Sequence, residues 1–286
     1  MVEFPKNRGK AAVLNEIIPQ CRADIVLLAD ARQRFAPDAV MRLSEAFADP
    51  TVGAVSGDLV LEDMPDSGTT GGLGLYWKIE KWIRRQESLV DSTCGCTGAI
   101  YAIRRELFSP IDPRTVLDDV AIPLQIVRRG KRVVFDSRAK AYDRLATDPA
   151  VERRRKTRTL AGCFQLCQLY PWLLLPWRNR IWLQFVSHKL LRLICPYLLL
   201  LALVSNAIWA QHSMLGRISL AVQIVLYALA FASLILPPRK GWSRLLGIPS
   251  AFLLLNAAAV AGFFRFLRGF DTGAWQPTAS EIDQRL

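Results

Sequence analysis

Hydrophobic and polar positions divide this chain into two unlike parts. In the first, short apolar stretches change period repeatedly. Residues 10–19 carry Ala11, Val13, Leu14, Ile17 and Ile18 at helical spacing, which predicts a short amphipathic helix. Residues 24–29 form a continuous apolar run ended by Asp30, the pattern of a strand buried on both faces. A helix with Pro37 in its first turn is predicted over 37–49, and a strand over 51–61. Residues 64–74 are rich in Gly, Ser and Thr and read as a loop. A helix follows over 75–90 with Trp77, Trp82 and Ile83, then an extended stretch over 97–103, a helix over 120–129 and a strand over 131–135. This alternation predicts an α/β domain around a mostly parallel sheet.

The second part is dominated by three apolar runs, 190–210, 218–236 and 245–264, each about 20 residues and so long enough to span about 30 Å of hydrocarbon. The link at 237–244 carries Arg239, Lys240 and Arg244, which places it on the cytoplasmic side. Arg178, Arg180 and Lys189 place the stretch before the first run there too, while Arg265 and Arg268 border the last run. Trp172, Trp177 and Trp182 mark 169–182 as a segment lying on a bilayer rather than crossing it. The expected organisation is an α/β domain over 1–160, an interfacial amphipathic segment over 161–189, membrane helices over 190–268 and a polar tail over 269–286.

Charge agrees with this division. The net charge is +12, and no Asp or Glu occurs from Arg153 through Phe270. The basic residues flank apolar runs instead of forming a continuous stripe, so a lipid bilayer is the expected partner and nucleic acid is not. The six cysteines include Cys94, Cys96, Cys163 and Cys167, without zinc-like spacing, and read as reduced, small apolar side chains. His188 and His212 both border apolar runs, which argues against a histidine-based triad. Residues 1–10 hold no apolar signal region, and no strand precedes Gly9. A nucleotide-binding α/β domain begins with a strand, so the chain is expected to lack its first strands.

Four features could carry chemistry. Asp30 ends a buried strand, where ligands bind in open α/β sheets; the other reading is a turn aspartate. Cys96, Thr97, Gly98 and Ala99 form a small-residue stretch that either admits a ligand to the backbone or packs a tight turn. Asp118 and Asp119 are side by side, so one should hold a raised pKa suited to proton abstraction; alternatively they cap a helix. The cluster Arg153, Arg154, Arg155, Lys156 and Arg158 suits phosphate oxygens, or else a solvated helix face or lipid headgroups.

Taken in order, these segments resemble the membrane-bound, processive-type family 2 glycosyltransferases related to polysaccharide synthases. The matching residues are Asn7 to Lys10 with Ala11, Leu14 and Asn15; Ala29, Asp30 and Ala31; and Val52 to Gly57. They continue with Thr97, Gly98 and Ala99; Leu117, Asp118 and Asp119; Glu152 to Arg158; Ser187 to Arg192; and Trp275 to Thr278. The resemblance implies a GT-A domain, incomplete at its amino end, followed by a transmembrane helical region.

The activity it implies is transfer of a sugar, with inversion, from a nucleotide-sugar (usually a UDP-sugar) to a saccharide or lipid-linked acceptor in exopolysaccharide or glycolipid synthesis. The enzyme would be a multi-pass protein of the inner (plasma) membrane with a cytoplasmic catalytic domain. By position Asp119 is the general base and Asp118 its acidic neighbour. Thr97, Gly98 and Ala99 line the acceptor site. Lys10, Asp30, Arg32, Arg155 and Arg158 serve the donor and its diphosphate. A divalent cation, Mg2+ or Mn2+, would be held by Asp30. Arg32 stands where the family often has the second aspartate of Asp-x-Asp, and Glu152 and Lys156 replace the Gln and Trp of its Gln-x-x-Arg-Trp motif. The alternative reading is a catalytically inactive, truncated membrane scaffold or assembly partner.

Overall fold

The computed structural model describes residues 2–4, 6–62, 69–144, 149–235 and 242–269. Strands β1 (Ile25–Ala29), β2 (Arg34–Phe35), β3 (Val52–Glu62), β4 (Ile100–Arg104) and β5 (Arg132–Arg144) form one sheet in the order β1-β4-β3-β5-β2. Helix α1 (Lys10–Gln20) precedes β1, and α2 (Ala39–Glu45), α3 (Thr69–Val90) and α4 (Asp118–Arg128) lie between strands in the chain. The run Ile100, Tyr101, Ala102, Ile103 is apolar throughout because β4 is covered on both faces. Tyr101 and Ile103 enter a core shared with α1 and α4, while Ile100 and Ala102 enter one shared with α2.

The sheet is mixed, not mostly parallel. Among the described residues only β3 and β5 pair in parallel, whereas β4 runs antiparallel to both β1 and β3, and β2 antiparallel to β5. The cause lies after α3. The Thr93 amide bonds to Val133 O, level with Ala54 of β3, and the Thr97 amide then reaches Ser56 Oγ, further along β3. The chain has thus climbed alongside β3 before β4 begins, and β4 must descend. Alternation of strand and helix does not reveal such a climb.

Two elements are longer than their periodicity predicts. Helix α3 begins at Thr69, so the described part of the predicted 64–74 loop is helical, and packing against the last helix of the chain overrides its glycines. Residues 63–68 lie outside the description. Strand β5 continues to Arg144 after an irregularity between the Ser56–Phe135 and Asp58–Lys140 pairings.

The second half is helical: α5 (Pro149–Leu169), a tight turn (Pro171–Leu174), α6 (Trp182–Phe185), a π-turn (Val186–Leu190), α7 (Leu191–Trp209), α8 (Met214–Ile235) and α9 (Trp242–Leu267). Residues 182–209 and 214–232 are long and apolar enough to cross a membrane by length and composition, and a shorter apolar stretch covers 251–267. Helix α9 packs on α3, α5, α7 and α8. Its contact with α5 is close: a Cβ at Gly262 would lie 3.0 Å from the Ala161 amide nitrogen. Between α5 and α7, Trp172, Leu173, Ile181 and Phe185 are buried, whereas Trp177 and Leu183 face outward. Arg239, Lys240 and residues 270–286, including Trp275 to Thr278, lie outside the description.

Candidate active site

The acid pair opens α4, and two other helices, α1 and α5, fix that helix start. The Asn15 side chain of α1 both donates to Ile111 O (2.7 Å) and accepts from the Ile111 amide (2.9 Å). Gln165 of α5 accepts from the Val116 amide (3.0 Å) and donates to Arg114 O (2.9 Å). Gly162 lets α5 abut Leu117, where a Cβ would come within 2.7 Å of Leu117 Cγ.

Lys10 joins the acids. Gly9 takes a left-handed φ of 80°, and α1 then starts with Lys10, whose Nζ lies 3.0 Å from Asp118 Oδ2 and 3.5 Å from Asp30 Oδ1. Burial pulls the Lys10 ammonium down, but the charges of Asp118 and Asp30 outweigh it and hold the pKa above its ordinary value. Lys10, Asp30 and Asp118 thus form one charged nest beyond the end of β1. Tyr101 sits beneath it, its phenol pushed well up by burial and by Asp118 and Asp119. Its hydroxyl makes no hydrogen bond among the described residues.

Asp119 has a shifted carboxyl. Burial, and then repulsion from Asp118, push its carboxyl up to about 6 against the pull of Lys10, Lys189 and Arg84. That is the range a general base needs near neutrality. Its carboxylate faces the small-residue turn, and a Cβ at Gly98 would lie 3.1 Å from Asp119 Oδ2. Glycine here lets the turn approach the carboxylate closely. The backbone adds a second link. Pro123, inside α4, has no N–H to offer the Asp119 carbonyl four residues earlier, and that carbonyl accepts from the Cys96 amide at 2.8 Å.

The other predicted residues make different contacts. Arg32 pairs with Asp143 of β5 at 3.3 Å. Ala99 is buried in the core under α2. Arg155 and Arg158 are on α5, Arg158 exposed, about two turns and one turn from Gly162 respectively. Cys94, Cys96 and Cys163 are buried free thiols.

Sequence reasoning missed a buried polar network. His188, from the π-turn, places Nδ1 2.8 Å from Glu87 Oε1 and Nε2 3.0 Å from Glu80 Oε1. Glu80 also accepts from Arg84 (3.2 Å) and Arg192 (3.0 Å), and Arg84 donates to the Thr97 hydroxyl. Burial penalises the Glu80 charge, yet the His188 hydrogen bond and the Arg84 and Lys189 charges hold its carboxyl well below the usual range. The available signal was Glu80, Arg84 and Glu87 on one helix face, spaced i, i+4, i+7.

A GT-A α/β domain with an acid pair at a helix start, followed by a helical region, defines a class, and sequence comparison places the chain in it. The chain belongs to glycosyl transferase family group 2, whose family model matches residues 25–262. It is 36% identical over 69 residues to an N-acetylglucosaminyltransferase of Rhizobium leguminosarum bv. trifolii, a match covering 24% of this chain and 38% of that protein. It is 26% identical over 147 residues to the poly-beta-1,6-N-acetyl-D-glucosamine synthase of Staphylococcus aureus (strain COL), covering 49% of this chain and 35% of the synthase. Both matches therefore span well under half of the relatives' length. Among solved structures, the mannosyltransferase PcManGT from Pyrobaculum calidifontis, in complex with GDP-Man and Mn2+, matches with a TM-score of 0.59 and 21% identity. That match covers 91% of this chain and 68% of the other, and it shows the shared fold.

Proposed function

We propose that this protein is a membrane glycosyltransferase that moves a sugar from a nucleotide-sugar, a UDP-sugar, to a saccharide or lipid-linked acceptor with inversion. The observation that carries this reading is Asp119: a carboxyl raised to about 6, lying against the side-chain-free face of Gly98. Asp119 takes the proton from the acceptor hydroxyl as its oxygen bonds to the anomeric carbon. The bond to the donor diphosphate breaks on the opposite face, and the nucleoside diphosphate leaves with the electron pair. Lys10 pairs with Asp118 beside the base, and Thr97 and Gly98 border the acceptor.

Arg155 and Arg158 neutralise the departing diphosphate, since cations are most useful where negative charge develops. For a divalent cation, Asp30 is the fitting donor: it lies beyond β1, and Mg2+ or Mn2+ binds through one or two carboxylates with substrate phosphates completing the sphere. Arg32, paired with Asp143, lends positive charge beside the site in place of a second carboxylate. The apolar helices α7 and α8, with exposed Trp177 and Leu183 before them, support insertion in the inner membrane with the α/β domain on the cytoplasmic face. The product would be a polysaccharide or glycolipid.

Titration of the detergent-purified chain with UDP-sugars, with and without Mn2+, followed by a transfer assay, tests the reading. Binding with inverted-linkage product supports it. Failure to bind in either condition overturns it and leaves an inactive assembly partner.

A further inference from the structure

The turn over residues 94–97 supplies one wall of the proposed acceptor site, and it is gripped at both ends by side chains that converge on one histidine. At one end the Cys94 amide donates to Glu87 Oε2 (3.3 Å), and Glu87 Oε1 faces His188 Nδ1 (2.8 Å). At the other, the Thr97 hydroxyl accepts from Arg84, Arg84 donates to Glu80 Oε1, and the same oxygen faces His188 Nε2 (3.0 Å). Midway, the Cys96 amide holds the carbonyl of Asp119. We propose that His188 is a positioning residue for sugar transfer, fixing this turn against Asp119 from the mouth of the first long apolar helix. The inference rests on the reading of Asp119 as base and of Thr97 and Gly98 as acceptor wall.

Chemistry at the ring supports a holding role. Each ring nitrogen faces a carboxylate oxygen, so the ring is held from both sides. Glu80, Glu87 and His188 are each less than a tenth exposed, and removing one partner of a buried charged network leaves the others uncompensated. The histidine sits in a π-turn, an irregularity that aims one residue away from a regular helical path. The adjacent Lys189 acts electrostatically on both Glu80 and Asp119, so the turn that leads into α7 faces the site with two residues. Arg192, the second residue of α7, donates to Glu80 Oε2 and ties that helix to the same anion.

Glu87, Cys94 and His188 also offer donor atoms within 4.8 Å of one another, the makings of a metal site. Two observations favour the hydrogen-bonded network. Both histidine nitrogens already face carboxylates, and burial pushes the Cys94 thiol well up, away from the thiolate a metal needs.

The test is His188→Gln in the full chain, read by amide hydrogen exchange over 94–99, donor affinity and acceptor kinetics. Exchange over 94–99 should quicken about tenfold with β4 unchanged, because an opened local unit exchanges by its own opening equilibrium. The acceptor KM should rise severalfold while the nucleotide-sugar Kd stays within about twofold. Unchanged exchange over 94–99 in the folded variant overturns the proposal. So does one equivalent of tightly held transition metal in the parent, by plasma mass spectrometry, since His188 would then be a ligand. If His188→Gln does not fold, Arg84→Gln carries the test at the Thr97 end, and unchanged exchange there overturns it. The exchange measurement needs no turnover, so a parent that transfers no sugar counts against the enzymatic reading while exchange still decides the coupling.

Discussion

Nζ of Lys10 stands 3.0 Å from Oδ2 of Asp118, so the first residue of α1 holds the first residue of α4. Lys10 is also a cation that pulls the Asp119 carboxyl down. Lys10→Met therefore removes a brake on that carboxyl, and the acid limb of the pH–rate profile should move to higher pH. Profiles of kcat/KM for parent and variant check this. A limb that stays in place would show that Lys10 does not act on the base.

Asp119→Asn should lower kcat by about 10²–10⁴-fold with donor binding intact, the usual range for a lost general base. Single-turnover transfer beside donor titration separates the two quantities.

The same carboxyl has a stability consequence of opposite sign. Its folded pKa of about 6 lies above the ordinary 3.8, so the native state favours the neutral form. That contribution is full below pH 3.8 and is lost as pH rises through about 6. At alkaline pH the charged carboxylate opposes folding by at most roughly 3 kcal/mol, and Asp119→Asn should raise Tm there while bringing little change in acid. Thermal unfolding in detergent at both pH values is the measurement, and a lower alkaline Tm in the variant contradicts the argument.

Gly262→Leu should destabilise the packed helices by about 1–3 kcal/mol, because backbone atoms of α5 at Ala161 already stand where the new side chain begins. The expected readout is a lower Tm with faster proteolysis. Gly262→Ala should show a smaller loss in the same direction.

Arg155→Ala and Arg158→Ala should each raise the donor KM about tenfold with a smaller effect on acceptor KM, and high salt should narrow the difference from the parent. Donor titrations at two ionic strengths decide it. Equal effects on both substrates would make α5 a general support instead.

Much of the candidate site's geometry was legible because its signals are local. Asp118 and Asp119 are adjacent, Gly98 lies in a run of small residues, and the apolar residues of β4 announce a strand covered on both sides. What stayed hidden depends on where distant segments meet. The reversal of β4 follows from Thr93 and Thr97 bonding to other strands. His188 looked like a border residue because Glu80 and Glu87, its partners, lie about a hundred residues away. Arg32 could be placed on the donor side by resemblance, but its pairing with Asp143 required the fold of β5.

The packing of α9 has a practical consequence for producing the protein. Leu193 of α7 and Ala258 and Ala259 of α9 belong to the same apolar cluster as Ala11, Ile111 and Leu160. An expression boundary placed before α7 would therefore cut through the interior of the α/β unit and expose it to solvent. Water-soluble versions are better sought by redesigning the outward faces of α7 and α8 than by shortening the chain.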